Sequence, residues 1–271
     1  MQLVSCHAGR LHTVSTESLG MSPATGGKAF RTGLVALDAL APRQGFARGA
    51  VHELLMPVAL GRPMFAALVL AKSAARRNED LGQNKHQTSN KRIRVQGSMF
   101  DVQRSTFAPS RPIIWCDPAA EFYPPAAAAA GVSLNNLYLL HPKTIADQSW
   151  AVAECLRCPG VAAVVVAARG LSRIEARRLQ LAAERGGGVG IVMRPAGNGS
   201  DQYAAATRWL VTPAPGQRTA QRWKMQLIHG HGGRVGQAVF LEYSRETNSV
   251  RAIEQLPDRS DESRPAERAI A

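Results

Sequence analysis

Between residues 112 and 193 the chain repeats one pattern, a short continuous apolar run followed by a segment of helical periodicity. Val161 to Ala168 is the clearest run. A strand without a polar face must be covered on both sides, which is the mark of a parallel sheet flanked by helices. Ile113-Ile114-Trp115 reads as another buried strand, ending at Asp117-Pro118, and Asn136 to Leu140 and Gly190 to Met193 complete the set. Between these strands, Tyr123 to Gly131 opens on Pro124-Pro125 and stops at a glycine, as short helices do. Gln148 to Leu156 is amphipathic, and Ser172 to Arg185 has Ser172 as its cap and Gly186 as its stop. Upstream, Val51 to Leu55 reads as a strand and Met64 to Arg76 as a helix closed by Arg76-Arg77. The order predicts an α/β fold, with a mostly parallel sheet, right-handed crossovers and helices on both faces. After Pro195 the texture changes to the alternating segments Trp209 to Thr212, Trp223 to His229 and Gln237 to Tyr243, which predict a C-terminal antiparallel hairpin.

The 271 residues suit one domain with extensions. Residues 1–30 lack either period and are expected to form a flexible leader, with the core spanning 31–243. Residues 78–111 read as a flexible basic insertion. From Arg76 to Arg111 there are eight basic and three acidic residues, a balance of +5. Residues 244–271, with five arginines, six acidic residues and almost no aromatic side chain, are expected to be a disordered charged tail. The whole chain carries a formal charge of +13, which favours acidic partners. No apolar run approaches the roughly 20 residues of a membrane helix. The first residues include His7, Arg10, His12 and Glu17 rather than an export signal, and four cysteines are too few for a disulfide scaffold. A cytoplasmic protein without a membrane partner is expected.

The turn between the Val51 strand and the Met64 helix is the one place suited to a phosphate cradle, where backbone amides, a lysine and a Ser/Thr hydroxyl would converge on an anion. Against G-x-x-x-x-G-K-[ST], Met56 stands for the first glycine, Arg62 for the lysine and Pro63 for the hydroxyl residue; only Gly61 matches. Pro63 can neither hold magnesium nor donate an N–H. The turn therefore reads as a degenerate nucleotide loop, with a weak anion site as the alternative. Thr25 to Lys28 also ends in Gly-Lys, but no strand precedes it. Gly186 to Gly190 follows a helix and precedes a strand, the reverse of a dinucleotide loop.

Other clusters have plain readings. Cys155 and Cys158 lack a second cysteine pair and read as packing residues. His229 and His231 suit a polar hairpin tip and lack a third ligand, so no metal site is expected. Asp117 and Glu121 follow a core strand and read as capping and loop residues. Arg169, Arg173 and Arg177 recur every four residues, with Arg178 beside them, and form a basic ridge. It reads either as a solvated face or as a contact for DNA or an acidic protein. Lys91, Arg92 and Arg94 in the insertion carry the same two readings.

Several segments resemble known families. Arg31–Leu40 and Gly45–Leu55, with Thr32, Gly33, Leu37 and Asp38 followed by Gly45 and Gly49, are similar to the lead-in of a RecA-type ATPase core. Trp115–Pro125, Gly131–Leu137, Trp150–Glu154 and Arg177–Arg185 resemble the ImuA family of RecA-like accessory proteins of bacterial mutagenesis, some of which carry a SulA-like label. The resemblance spans residues 31–243. It implies a RecA-like P-loop-type core and a role in SOS-induced translesion synthesis. The implied partners are ImuB, a Y-family polymerase homologue, and an error-prone C-family DNA polymerase, with RecA and DNA as further candidates. By position, the RecA nucleotide lysine falls on Arg62 and the magnesium-binding threonine on Pro63. The catalytic acid falls on Ala119, and the acid ending the Val161 strand near Ala167. A non-catalytic adaptor without cofactor or catalytic residues is therefore expected. The alternatives are a divergent DNA-stimulated ATPase using Arg62, or a DNA-binding protein using its basic surface.

Overall fold

In the computed structural model, which describes residues 3–7, 10–14, 29–76, 111–168, 171–197, 205–217 and 219–253, the apolar runs lie side by side in one sheet. Ahead of it, β1 (Leu3–His7) and β2 (Arg10–Val14) pair antiparallel as a separate ribbon within the stretch expected to be a flexible leader. Both segments are short and contain β-favouring residues, and only Ala8 and Gly9 separate them, a spacing that suits a hairpin. A small ribbon of β3 (Ala29–Phe30) and β4 (Phe46–Ala47) brackets α1 (Val35–Leu40). The core follows with β5 (Ala50–Met56), α2 (Met64–Ala75), β6 (Ile113–Cys116), α3 (Pro124–Ala129) and β7 (Leu137–Leu140). It continues through α4 (Ile145–Arg157), β8 (Ala163–Ala167), α5 (Arg173–Gly186) and β9 (Val189–Pro195).

The chain then turns antiparallel through β10 (Thr207–Gln217), β11 (Ala220–His229), β12 (Ala238–Ser244) and β13 (Ser249–Ile253). The nine strands run in the order β13-β12-β11-β10-β5-β9-β8-β6-β7. Every pair from β10 to β7 is parallel, and the three pairs from β13 to β10 are antiparallel. The mostly parallel α/β architecture is as expected. The C-terminal part is a four-stranded meander rather than one hairpin. The body also continues beyond residue 243, because Val250 and Ala252 face the same side as Tyr243 and Leu241 while Arg251 reaches back to Glu242. The composition of 244–271 as a whole conceals this short strand. Residues 254–271 and nearly all of 78–111 lie outside the described residues.

Two apolar layers flank the sheet. On one face Leu54, Ile113, Trp115, Val165 and Ile191 pack under α1 and α2; on the other Val51, Ile114, Val164 and Val192 pack under α4 and α5. This division follows from the period of two along each strand. Local signals place α5 well. The Ser172 hydroxyl accepts the Glu175 N–H at 3.2 Å while the Glu175 carboxylate accepts the Ser172 N–H at 2.9 Å, a complete capping box. Gly187, at φ 71°, ends the helix in the left-handed region. Gly186 is required for another reason: a Cβ there would run into the Leu156 carbonyl oxygen at the end of α4. α4 begins earlier than its apolar pattern suggests, because Thr144 accepts the Asp147 N–H and caps it. No helix among the described residues is long and apolar enough to cross a membrane.

Candidate functional site

The degenerate loop lies where the sequence places it, between β5 and α2 at the C-terminal end of the parallel strands. Its backbone is turned upon itself. Val58–Leu60 forms a single 3-10 turn, and the amides of Leu60, Gly61 and Met64 donate to the carbonyls of Pro57, Val58 and Arg62 at 2.9, 3.3 and 2.8 Å. Pro57 and Pro63 have no amide proton, so with these three amides turned inward the loop has fewer N–H groups to offer an anion than a triphosphate cradle. Gly61 does supply a positive φ of 85°, but Pro63 occupies the helix N-cap without a side-chain hydrogen bond. These residues do not fit a nucleotide with its magnesium. Val58 and Leu60 are exposed on the turn, in place of polar groups.

The side chain at the lysine position has its own partner. Arg62 Nη1 donates to Glu121 Oε2 at 2.7 Å, joining the loop to the segment after β6. In that segment Asp117 is buried and acts as a loop organiser. Its Oδ2 accepts the Phe122 N–H at 2.7 Å, its N–H donates to Leu140 O at 2.8 Å, and its carbonyl accepts a bond from His141 Nδ1 at 2.6 Å. Its role is as expected, whereas the Arg62 partner of Glu121 had no local signal. Ala119 and Ala167 provide no acid at the two remaining positions.

The Thr32-Gly33 to Asp38 lead-in has a structural explanation in this chain. Asp38 is buried and accepts the Thr32 N–H at 2.9 Å, the Thr32 hydroxyl at 2.8 Å and the Gly33 N–H at 3.2 Å, closing the turn ahead of α1. Burial raises its pKa above the ordinary aspartate value, with the Thr32 and Gly33 hydrogen bonds opposing.

Of the basic ridge, Arg173, Arg177 and Arg178 are exposed on α5, whereas Arg169 lies outside the described residues, as do Lys91, Arg92 and Arg94. Tertiary packing enlarges the feature. Arg157, from the end of α4, and Arg185, from the end of α5, line a groove of about 690 Å³ together with the ridge, Ile174 and Leu181. Arg157 pairs with Glu154. Arg173, Arg177, Arg178 and Arg185 have no carboxylate partner among the described residues.

Sequence reasoning missed two buried polar groups on β5, because alternation marks a face but not its pairing partners. Glu53 sits between Arg208, whose Nε donates at 2.9 Å, and Arg194, whose Nη1 lies at 3.4 Å. Burial raises the Glu53 pKa against the pull of both arginines. His52 is fully enclosed: its Nε2 donates to Ala47 O at 2.9 Å and its Nδ1 accepts from the Thr207 hydroxyl at 2.7 Å, while the Trp209 indole N–H donates to that same hydroxyl oxygen at 2.9 Å. Burial lowers the His52 pKa from 6.5 to about 4.

Cys116, Cys155 and Cys158 are buried free thiols, and burial pushes Cys116 up to about 12 and Cys155 up to about 11, far from thiolate chemistry. The His229 and His231 rings lie 5.6 Å apart, and among the described residues no group of three or more His, Cys, Asp or Glu could hold a metal ion.

Fold and loop together define an α/β protein whose would-be nucleotide turn is closed by its own carbonyls and by an arginine–carboxylate pair. No family model matches the chain. The chain is similar to Protein ImuA of Caulobacter vibrioides, in both strain NA1000 / CB15N and strain ATCC 19089 / CIP 103742 / CB 15, at 27% identity over 164 residues that cover 54% of this chain and 67% of the relative. The resemblance read from its segments is borne out: the chain is similar to the ImuA proteins.

Proposed function

We propose that this protein is a non-catalytic adaptor of the ImuA type, built on a RecA-like core and acting in the cytoplasm in damage-induced mutagenesis and translesion synthesis. Its partners in this reading are an ImuB-like Y-family polymerase homologue and an error-prone C-family DNA polymerase, with RecA and DNA as further contacts. Kinship to ImuA supports the setting. The parallel strands ending at the β5 loop, and the Thr32-Gly33 to Asp38 turn ahead of them, support the RecA-like core.

One observation carries the non-catalytic part. Arg62, at the position of the phosphate-binding lysine, is bonded to Glu121, and the next residue is a proline. Catalysis by a P-loop enzyme is almost wholly positioning and charge stabilisation of the phosphoryl group. A turn with three amides bonded to its own carbonyls, two prolines, no hydroxyl at position 63 and a cation already paired is poorly equipped for either. The α/β scaffold would then be reused for contacts, as folds often are.

Isothermal titration with magnesium-ATP, together with ATP hydrolysis assayed with and without DNA, tests this reading. No binding heat at millimolar nucleotide and no hydrolysis are expected. Hydrolysis lost in Arg62→Ala would establish the divergent ATPase instead. Co-purification with the ImuB-like protein tests the setting.

A further inference from the structure

We propose that the α4–α5 groove is a docking site for an acidic amphipathic helix of another protein. Along α5, Ile174, Arg178, Leu181 and Arg185 follow one another at spacings of four, three and four residues, the spacing of a single helical stripe. The stripe alternates apolar and cationic side chains. Arg173 and Arg177 flank it on the same helix, and Arg157 faces it from α4.

The apolar members stand in water. Ile174 is 82% exposed and Leu181 is 47% exposed, although α5 buries Leu179 and Ala183 in the core on its other side. Isolated exposed aliphatics are ordinary, but two lying two turns apart on one stripe, set among unpaired arginines within a groove, form a composite surface. Arg173 and Arg177, one turn apart, repel one another, and none of the four α5 arginines makes an ion pair with a carboxylate among the described residues.

Charge complementarity and the apolar stripe choose the occupant. A second copy of the groove would bring arginines against arginines. A nucleic-acid backbone would satisfy the guanidinium groups but would leave Ile174 and Leu181 beside phosphates, with no apolar partner. A helix with leucines or isoleucines along one stripe and glutamates or aspartates beside it satisfies both. Its apolar side chains cover Ile174 and Leu181, and its carboxylates take the arginines in forked hydrogen bonds. At 14 residues, α5 offers a track of about 21 Å, some four turns of a docked helix. This assignment deepens the adaptor reading, because it states what chemistry the adaptor grips.

Fluorescence anisotropy on the full-length protein tests it, using a labelled synthetic peptide of about 20 residues. The peptide carries leucines at helical spacing with glutamates between them. A second peptide has the same composition in scrambled order, and a labelled duplex DNA of similar charge is the third probe. The wild type is expected to prefer the ordered peptide over the scrambled one by about tenfold, with affinity falling as salt rises. Ile174→Ser and the double variant Arg177→Glu with Arg178→Glu are each expected to weaken ordered-peptide binding by about tenfold or more. Both variants alter exposed positions, and unchanged circular dichroism verifies that they fold.

Equal affinity for ordered and scrambled peptides, or binding indifferent to Ile174→Ser, would overturn the proposal. So would duplex DNA binding more tightly than the ordered peptide and depending on the same arginines, which would make the groove a nucleic-acid contact. ATP binding by the wild type would remove the non-catalytic reading without altering these comparisons, so the two failures are read separately.

Discussion

The Arg62 guanidinium and the Glu121 carboxylate meet 2.7 Å apart across the end of the parallel sheet, linking the β5–α2 turn to the loop after β6. A cation that would otherwise face an incoming phosphate is thereby supplied with an internal anion. Both side chains are more than a third exposed, so the pair's effect lies in occupying Arg62 rather than in holding the fold together.

Glu121→Gln should therefore change unfolding free energy by less than about 1 kcal/mol in urea denaturation, as for other exposed ion pairs. Restoring the missing side chains should not restore a nucleotide site either. Arg62→Lys combined with Pro63→Thr is expected to show no magnesium-ATP binding by calorimetry, because the amides of Leu60 and Gly61 still serve Pro57 and Val58. Micromolar binding by this double variant would show that side chains alone had disabled the loop.

Asp38 accepts three hydrogen bonds from Thr32 and Gly33 within a buried turn. Asp38→Ala strands these donors and should cost on the order of 1–3 kcal/mol in chemical denaturation. Destabilisation below a few tenths of a kcal/mol would show that water replaces the carboxylate.

His52 sets a pH dependence. Its folded pKa, about 4, lies below the ordinary 6.5, so between these values the unfolded chain binds the proton that the folded chain refuses. Stability contributed by neutral His52 is fully present above about pH 6.5 and is lost progressively as pH falls toward 4, by an amount on the order of a few kcal/mol. Comparing wild type with His52→Gln across this window should show a shallower acid slope in the variant. Parallel slopes would place the titration elsewhere.

Glu53 neutralises two arginines from neighbouring strands, Arg194 and Arg208. Glu53→Gln should destabilise the protein by about 3–5 kcal/mol, the usual range when one partner of a buried pair is removed. Thermal melting would detect it. The cost should change when Arg194→Met is added, since that removes one of the two guanidinium groups that face position 53.

Gly186→Ala adds a methyl against the Leu156 carbonyl where α5 passes the end of α4, and the backbone must shift to admit it. A loss of about 1–3 kcal/mol is expected. Gly61→Ala meets no atom within 4 Å, so its cost, from the positive φ of 85°, should be nearer 1 kcal/mol. Equal losses would mean that the α4–α5 approach is looser than its geometry.

Much of this fold is written in short-range signals. The uninterrupted Val161 run, Ser172 with Glu175 three residues later, Pro124-Pro125 and the glycines at 186 and 187 each report a local preference for strand, cap or stop, and the structure uses all of them. The loss of the lysine and hydroxyl at positions 62 and 63 is equally plain in the chain itself. What remained hidden depends on partners distant along the chain. Arg62 and Glu121 are 59 residues apart, His52 and Thr207 are 155, and Arg157 joins the α5 arginines only because α4 packs beside α5. Strand β13 was masked by the charged composition around it and became visible only when paired with β12. Periodicity and capping act over one or two turns and so leave a trace in sequence. Ion pairs, buried hydrogen bonds and grooves depend on which surfaces the sheet brings together, and tertiary structure alone decided that.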